Sequence, residues 1–492
     1  MIRRRSLLLG IDIGTSSSKA VFLDQDCHEV SVGSAPHPVR SPRRGWAESD
    51  PTDWWVSVGQ AVRDALRYGE IDTARGLPVA VGLSGQMHGA VLVDADGIPV
   101  RPAIIWADER AETEFYRYRR LDAASVDVLG NPLVAGMTGP ILCWLEEFES
   151  DTYRRADWVL QSKDWLRLRL TGRVGSELSD ASATLLYDLV QQRWANEVVD
   201  GLALRREMLA LLGRSDEYGG ELTDQAAEAL GLCAGLVVAH GAADVAAGLV
   251  GTGLTEPGVL QLTVGTAAQL ATLRQDPRPD QTHRYHVFSA ATGGYYALAA
   301  VQSAGLAFEW AWAVLGCDWR SAYHALDASP PGSNGMSFVP HLAGARSPSM
   351  DPRASGAFCG LRLNNDRSDL IRSVFEGVAF SILEAASALP EYDAVSEIRL
   401  AGGGSLEPAW RQLLADILGR SLVILDTTNA SARGAAILGG LAANVTLSSE
   451  GEPSPRSAQS VVHPRSNHAA QLADAYGRWT GWAAALAGRS TD

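Results

Sequence analysis

The chain has 492 residues, more than a single hydrophobic core usually supports, so two or three domains are expected. Hydrophobic residues make up 46% and charged residues 20%, the balance of a globular protein. The formal net charge of −15 argues against a nucleic-acid-binding protein, which would carry a basic surface. The sequence has no apolar run long enough to cross a bilayer.

The cysteines and lysines narrow the chemistry further. The five cysteines are scattered and none forms a CxxC pair, so the sequence predicts reduced thiols and a cytoplasmic protein. Lys19 and Lys163 are the only lysines, and neither lies in a GxxxxGK[ST] pattern, which excludes a P-loop. Any ATP chemistry must therefore use a different phosphate-binding loop.

Residues 7–24 predict two strands joined by a tight turn. Gly14 in the turn lets the backbone come close to a ligand, and Thr15 and Ser16 offer N–H and O–H donors to an anion. Asp12 stands at the end of the first strand, where a carboxylate can hold a hydrated Mg²⁺. The hairpin therefore predicts a site for nucleotide phosphates, and an ordinary polar hairpin is the alternative.

The same pattern returns in the second half of the chain. Residues 259–270 again contain a strand, a Gly-Thr pair (Gly265 and Thr266) and a second apolar run. The two copies are separated by about half of the chain, which predicts two related lobes, with chance similarity as the alternative. The second copy has Thr263 where the first has Asp12, so only one lobe would supply the carboxylate.

Two further strands of the first half are predicted to end in polar side chains. They lie at residues 79–86 and 102–106, after a helix that begins with Asp50 as its N-cap and Pro51 in its first turn. Ligands of open α/β sheets lie at the carboxyl ends of strands, so these ends predict a small-molecule site. The side chains concerned are Gln86, Met87, His88, Trp106, Asp108 and Arg110.

Apolar runs and glycine-rich stops predict the boundary between the lobes. A strand over residues 235–241 leads to Asp244 and then to a short helix of small residues over 245–250. The glycine-rich stretch 251–258 follows this helix. We therefore expect the first lobe to end here.

The last elements are predicted in the same way. A strand over residues 396–400 enters Gly402-Gly403-Gly404, and the helix after it ends at Gly419. Residues 448–464 are rich in Ser, Pro and Gly, which predicts a mobile linker. An amphipathic helix over residues 467–486 is expected to close the chain.

Taken in order, these stretches resemble the FGGY family of carbohydrate kinases, and within it the xylulokinases. The resemblance covers nearly the whole chain. Its most discriminating piece is GQMHG at residues 85–89, because other sugar kinases of the family carry other residues there. The matching stretches are GIDIGTSSSK, WAESDPTDWW, GQMHG, SKDWLRLRLTG, TVGTAAQL, GAFCGL, FEGVAF and AGGGS.

The resemblance implies an α/β fold of two actin-like, RNase H-type lobes with a nucleotide cleft between them. It implies that the γ-phosphoryl group of ATP, with Mg²⁺, is transferred to a hydroxyl of a small sugar, O5 if the sugar is D-xylulose. The expected division is an N-terminal lobe over 1–254, a C-terminal ATP-binding lobe over 255–446, and a linker with the final helix over 447–492. No nucleic acid or membrane partner is expected, and a homodimer stays open.

The resemblance also implies roles for single residues. Asp244 would be the general base, whereas the pattern alone leaves a helix N-cap equally open. Asp12 would hold Mg²⁺ through water, with a turn residue that bonds its own backbone as the alternative. Contacts to the sugar are implied for Gln86, Met87, His88, Trp106, Asp108 and Asp244. Contacts to the nucleotide are implied for Asp12, Gly14, Thr15, Ser16, Gly265, Thr266, Gly403 and Gly404.

Each of these roles has a structural alternative. His88 near a strand end is more often structural, Trp106 is equally a core residue, and Asp108 with Arg110 forms an ordinary surface ion pair of small energy. The glycines of the adenine loop have the alternative of a plain loop before a helix.

This chain also departs from the family's pattern. Ile141 stands where the family often has Lys, Ala243 where it has Gly, Val245 where xylulokinases have Asn, and Ala345 where the G-E-R-T-P loop has Glu. Val245 removes a side chain that could hydrogen-bond the sugar, so it weakens xylulose as the acceptor more than it weakens the kinase activity. The alternatives are a kinase of another ketose, a polyol or a sugar acid, and a non-catalytic actin-like ATP-binding protein.

Overall fold

The computed structural model describes six ranges of the chain: residues 6–73, 78–278, 282–402, 407–425, 429–447 and 458–487. Gly403 and Gly404, predicted to pass against adenine, lie outside the described residues. The first ten residues of the predicted linker, 448–457, also lie outside them.

The first half of the chain forms one set of strands and helices. Its strands are β1 (Leu8–Ile13), β2 (Ser17–Leu23), β3 (Glu29–Pro36), β4 (Glu48–Ser49), β5 (Ala80–Gly85), β6 (Val91–Val93), β7 (Ala103–Ile104), β8 (Trp158–Leu160), β9 (Ser176–Glu177), β10 (Tyr187–Asp188), β11 (Arg193–Trp194), β12 (Leu212–Gly213), β13 (Tyr218–Glu221), β14 (Val237–Ala239) and β15 (Ala242–Ala243). Its helices are α1 (Pro51–Tyr68), α2 (Phe115–Tyr118), α3 (Ala123–Asp127), α4 (Thr138–Phe148), α5 (Ser150–Arg155), α6 (Ser162–Thr171), α7 (Leu178–Ala181), α8 (Asn196–Gly201), α9 (Asp224–Leu230) and α10 (Asp244–Gly251).

The second half forms another set. Its strands are β16 (Val259–Val264), β17 (Ala268–Arg274), β18 (His286–Ser289), β19 (Tyr295–Val301), β20 (Ser337–Val339), β21 (Ala357–Cys359), β22 (Glu397–Ala401), β23 (Leu422–Leu425) and β24 (Ala458–Val462). Its helices are α11 (Gly305–Leu315), α12 (Trp319–Ala328), α13 (Arg367–Ala388), α14 (Pro408–Leu418), α15 (Ala430–Ala442) and α16 (Ala469–Ala487). None of the described helices is long and apolar enough to span a membrane.

Each half builds a seven-stranded sheet, and the five central strands of the two sheets follow the same order. The first has the order β13-β14-β5-β1-β2-β3, with β15 paired to β5, and the second has the order β18-β19-β17-β16-β22-β23-β24. In both, the first strand runs antiparallel to the next strand of the chain and parallel to a strand reached by a crossover. The prediction of two related lobes, made from the repeated Gly-Thr hairpin, is confirmed.

Helix α1 shows why the local predictions were accurate. Asp50 caps the helix, because its Oδ1 accepts a hydrogen bond of 2.9 Å from the backbone N–H of Thr52. Pro51 occupies the first turn, where a backbone N–H has no acceptor within the helix, so proline loses no hydrogen bond there. Trp54 and Val58 of the same helix are buried in the core under the first sheet.

Helix α15 departs from a simple division into halves, because it belongs to the second half of the chain but packs on the first sheet. A Cβ atom at Gly10 of β1 would lie 1.8 Å from the carbonyl oxygen of Ala432, and one at Gly82 of β5 would lie 1.7 Å from that of Ala435. Only glycine at these strand positions leaves room for the helix backbone.

The same helix also packs closely against α10. A Cβ atom at Gly434 would lie 1.8 Å from the carbonyl oxygen of Ala247, and one at Gly251 would lie 1.9 Å from that of Ala430. The two helices therefore touch backbone to backbone, which fixes α10 and the residues that begin it relative to α15 and the first sheet.

The end of the chain is more ordered than its composition suggests. Residues 458–462 lie within the predicted linker but form β24, which pairs antiparallel with β23 at Leu422 and Val462. For these residues the prediction of a mobile linker is wrong, since the pairing partner is distant in sequence. The final helix is confirmed as α16, and its Trp479 donates a hydrogen bond of 2.9 Å to the carbonyl oxygen of Phe338.

We predict opposite effects for two glycine-to-alanine changes in helices. Gly434→Ala should lower the free energy of unfolding by about 1–3 kcal/mol, because its methyl group collides with backbone that cannot move freely. Gly477→Ala in α16 meets nothing within 4 Å and should raise it by about 0.5–1 kcal/mol through helix propensity. Urea denaturation followed by circular dichroism measures both, and equal effects would contradict the close helix contact.

Candidate active site

The first hairpin places Asp12 at the end of β1. Its Oδ1 accepts a hydrogen bond of 3.0 Å from the hydroxyl of Ser84 on the neighbouring strand β5. Burial raises the pKa of Asp12, while the Ser84 hydrogen bond and the charge of Lys19 oppose the rise. The turn itself is closed by a hydrogen bond of 3.0 Å from the N–H of Gly14 to the carbonyl of Ser17.

Asp244 lies at the same edge of the first sheet. The two residues before it form β15, which pairs with β5 at Ser84 and Gly85, and Asp244 is the first residue of α10. Its Oδ1 accepts a hydrogen bond of 2.8 Å from the next backbone N–H, and the N-cap position belongs to Ala243. The alternative of a helix N-cap is therefore wrong.

The electrostatics of Asp244 are unusual for a carboxylate. Burial first, and then the negative charge of Asp12, raise the pKa of Asp244 to about 7. Because ordinary aspartates titrate near pKa 4, this group is poised to accept a proton near neutral pH. The interaction also shows that the two predicted carboxylates lie close enough to sense each other.

A cavity of 110 Å³ opens next to Asp244 and is lined by both lobes. Gln261, Thr263 and Gln269 of the second hairpin face it, and so does Ser431 of α15. Thr263 is the residue that corresponds to Asp12 in the repeat. The ends of the two halves therefore meet at Asp244, as the sequence predicts for a cleft between lobes. Gln261 and Gln269 lie within the repeated stretch 259–270, but no role was predicted for them.

The second Gly-Thr turn supports the start of α11. The carbonyl of Gly265 accepts from the N–H of Gly305 at 2.9 Å, and the carbonyl of Thr266 accepts from the N–H of Ala304 at 3.1 Å. The turn is thus held by backbone hydrogen bonds, and it leaves the Thr266 hydroxyl without a protein partner among the described residues.

His88 follows β5 and is held in one tautomer. Its Nδ1 lies 2.8 Å from the carbonyl oxygen of Ala183, which can only accept, so Nδ1 carries the hydrogen and Nε2 presents a lone pair. Burial and the charge of Arg346 lower the pKa of His88 to about 4. The neutral ring can therefore accept a hydrogen bond from a sugar hydroxyl.

The other predicted sugar residues connect this side to the first hairpin. The indole N–H of Trp106 donates a hydrogen bond of 3.0 Å to the hydroxyl oxygen of Thr15. Gln86 donates from its side chain to the carbonyl of Gly14 at 3.4 Å, and Met87 is buried with its sulfur 3.7 Å from the hydroxyl of Tyr296. The phosphate hairpin and the sugar strands are thus one connected unit.

Asp108 and Arg110 form the predicted ion pair, but it is buried. Arg110 donates from Nε and Nη2 to the two carboxylate oxygens of Asp108 at 2.9 and 2.8 Å, and both side chains are 1% exposed. Asp108 also accepts from the N–H of Ala47 at 2.6 Å, and Arg110 packs 3.5 Å from the ring centre of Trp46. The expectation of a weak surface pair is therefore wrong.

A larger cavity of 240 Å³ lies on the sugar side of the cleft. Trp106 and Asp108 line it from the first lobe, and Gln302, Arg346 and Met350 line it from the second. It is smaller than the roughly 300–1,000 Å³ typical of sites for drug-sized ligands, which suits a molecule the size of a simple sugar. The structure thus divides the predicted sugar residues, since Asp244 lines the smaller cavity instead.

A buried ionic cluster is connected to Asp244 through the backbone. Of its four residues, only Lys163 and Asp164 belong to a motif that the sequence analysis used. The Nζ atom of Lys163 lies 2.7 Å from Asp164, 3.2 Å from Glu177 and 3.0 Å from Asp180, and all four side chains are fully buried. Burial alone would lower the pKa of Lys163, but the three carboxylates raise it above its usual value. The lysine therefore stays charged.

The cluster reaches the base through Ser179. Its hydroxyl donates a hydrogen bond of 2.7 Å to Glu177 and accepts one of 2.9 Å from the N–H of Ala243, the residue before Asp244. Because these groups are scattered over segments far apart in sequence, no spacing pattern could have revealed the connection.

Comparison with known proteins agrees with this geometry. The N-terminal domain model of the FGGY family of carbohydrate kinases matches residues 7–251, and the C-terminal domain model matches residues 260–443. The chain is 32% identical to a xylulose kinase of Klebsiella pneumoniae over 85% of this chain and 86% of that protein. The crystal structure of a "xyloylose kinase" from Brucella ovis is 31% identical with a TM-score of 0.91, covering 98% of this chain and 99% of that one.

The chain therefore belongs to the FGGY family of carbohydrate kinases, and it is an ATP-dependent sugar phosphotransferase of the xylulose kinase type. The alternative of a non-catalytic actin-like protein is set aside. The crystal structure of a gluconate kinase from Lactobacillus acidophilus also superposes with a TM-score of 0.92, covering 99% of each chain, but at 24% identity that likeness concerns the fold alone.

We predict that Lys163→Met destabilises the protein strongly. The change leaves three buried carboxylates without their cation, and breaking a buried ion pair in this way costs about 3–5 kcal/mol. Arg214→Met is the matched control, since Arg214 pairs with Asp216 at the surface and its loss should cost less than about 1 kcal/mol. Urea midpoints measure both, and a Lys163→Met midpoint as high as that of the control would refute the prediction.

Proposed function

We propose that this kinase transfers the γ-phosphoryl group of Mg-ATP to O5 of D-xylulose, which gives D-xylulose 5-phosphate and ADP. One observation carries the proposal: Asp244 is a half-buried carboxylate with a pKa of about 7 that faces the cleft between the two lobes. The identity to xylulose kinases and the GQMHG stretch with its buried Met87 and neutral His88 support the choice of sugar.

Asp244 acts as the general base in this proposal. As the bond from O5 to the γ-phosphorus forms and the bond from that phosphorus to the leaving ADP oxygen breaks, the hydroxyl proton passes to the Asp244 carboxylate. Phosphoryl transfer has a loose transition state, so the protein mainly positions the groups and stabilises charge. The backbone of Asp244 is held for this task, because its carbonyl accepts a hydrogen bond of 2.9 Å from Ser431.

Asp12 is proposed to hold Mg²⁺ through water. Its donor set fits, because the Asp12 carboxylate raises the pKa of the nearby Asp244 carboxylate, and a hydrated divalent cation relieves the repulsion between them. When bound, Mg²⁺ screens the negative charge of the β- and γ-phosphates. The proposed phosphate and adenine contacts are Gly14, Thr15, Ser16, Gly265, Thr266, Gly403 and Gly404.

On the sugar side, Nε2 of His88 accepts a hydrogen bond from a sugar hydroxyl, and Trp106 packs against the sugar. Whether Gln86, Met87 and Asp108 touch the sugar stays a prediction. The division into lobes at 1–254 and 255–446, the tail at 447–492, a cytoplasmic location and a homodimer also remain predictions.

Another ketose, a polyol or a sugar acid is the second candidate for the acceptor. Val245 lines the cavity beside Asp244 and offers no hydrogen bond, and Ile141 is fully buried in the same core as Met87. These two positions carry polar side chains in the family's pattern, so the acceptor can differ from D-xylulose.

A substrate panel tests both candidates. ADP release is measured with pentuloses, hexuloses, polyols and aldonates under the same Mg-ATP concentration, and kcat/KM is compared. D-xylulose should have the highest value. A higher value for another acceptor would favour the second candidate, and no sugar-stimulated ADP release from folded protein would reject the proposal.

We predict that Asp244→Asn lowers kcat by at least about 100-fold, because the amide cannot take the hydroxyl proton. The Kd for ATP should change little, since the side chain is not a proposed nucleotide ligand. Asp327→Asn, on the exposed side of α12, is the control and should keep full activity. If Asp244→Asn retains turnover, Asp244 is not the base.

The pH dependence should follow from the same group. Since the base must be ionised, kcat/KM should fall as the pH drops below about 7, the pKa of Asp244 in the free protein. Glu384 provides a control, because burial raises its pKa to about 7 as well, yet it lies on α13 outside the cleft. Glu384→Gln should therefore keep the fall in kcat/KM at low pH. If that fall disappears in Glu384→Gln, then Glu384 and not Asp244 causes it.

A further inference from the structure

Arg346 is a half-buried cation with no carboxylate partner among the described residues. Burial alone lowers the pKa of its guanidinium, and no carboxylate opposes that effect. Arg110 and Arg372 differ, since Arg110 pairs with Asp108 and Arg372 pairs with Glu376 at 2.7 Å. A guanidinium that is partly withdrawn from water and has no counter-charge favours a ligand whose oxygens accept its hydrogen bonds.

The chain departs from the family's pattern at the neighbouring position. Ala345 stands where the G-E-R-T-P loop has glutamate, so this chain has no carboxylate next to Arg346 in sequence. The loop backbone is fixed nevertheless, because the carbonyl of Arg346 accepts a hydrogen bond of 2.7 Å from the N–H of Met350. The guanidinium is thus presented by a hydrogen-bonded loop and has no carboxylate partner among the described residues.

Arg346 faces the 240 Å³ cavity from the second lobe, opposite Trp106 and Asp108 of the first. Asp108 is already satisfied by Arg110, and its two oxygens have no further need of a cation. Glu109 and Glu112 also line the cavity and are exposed. These two carboxylates disfavour a negatively charged occupant, whereas a neutral polyhydroxy compound suffers no repulsion.

We propose that Arg346 is a substrate-binding residue, which donates hydrogen bonds to the carbonyl and hydroxyl oxygens of a neutral ketose in this cavity. The inference rests on the proposed sugar kinase function. A guanidinium presents five N–H donors in a planar fork, and the adjacent oxygens of a ketose match two of them. The sugar would then touch both lobes, so its binding would favour the state in which they are close together.

Steady-state kinetics of Arg346 variants test the proposal. In Arg346→Met the KM for the ketose should rise at least about tenfold, with the KM for ATP within about twofold of the parent. Arg346→Lys keeps the charge but not the fork, so it should lie between the parent and Arg346→Met. Arg353→Met is the matched control, because Arg353 is exposed on the same loop and should leave both constants unchanged.

The outcomes separate this inference from the function beneath it. If the parent protein phosphorylates no sugar, the proposed function fails. If the parent turns over and both Arg346 variants keep the parent KM for the ketose, the inference about Arg346 fails. Should Arg346→Met not fold, Arg346→Lys alone decides, and a raised sugar KM at unchanged ATP KM supports the proposal. If the parent enzyme prefers an aldonate and Arg346→Lys loses that preference, Arg346 binds an anion, and the proposal of a neutral ketose is wrong.

Discussion

The backbone contact between α10 and α15 is the constraint on which the active site depends. Gly434 and Gly251 allow the two helices to touch, and Gly10 and Gly82 let α15 lie directly on the first sheet. Asp244 begins α10, so the same contact sets the position of the base. Small residues are required at these contacts, because a larger side chain at any of the four glycine positions would push the helices apart and displace Asp244 from the cleft.

Two opposite electrostatic arrangements share this small region. At Lys163, one buried cation lies between three buried carboxylates, and its charge opposes the rise that burial causes in the pKa of Asp180. At Asp12 and Asp244, two half-buried carboxylates lie close together, and the pKa values of both rise although the charge of Lys19 opposes the rise at Asp12. The first arrangement stabilises the scaffold. The second raises the free energy of the two charged carboxylates, which favours the binding of a cation and lets Asp244 accept a proton near neutral pH.

The fold does not set the acceptor. The crystal structures of the "xyloylose kinase" and of the gluconate kinase share this architecture, with TM-scores of 0.91 and 0.92. Choice of substrate must therefore come from side chains at the cavity walls, such as Val245 beside the base and Arg346 across from Trp106. Val245 is itself a departure from the family's pattern, and Arg346 follows another departure, Ala345.

The sequence by itself determined the hairpins and the capped helix α1, because each depends on residues close together in the chain, and the recurrence of the hairpin pattern indicated the two lobes. Asp244 as the base is a prediction from the family resemblance. Tertiary structure alone decided the burial of the Asp108–Arg110 pair, the strand formed by residues 458–462 and the link from Lys163 to Ala243. It also decided that Trp106 and Asp108 line the larger cavity whereas Asp244 lines the smaller one. These features join segments that are distant in sequence, and burial, which sets their electrostatics, exists only after the segments have packed together.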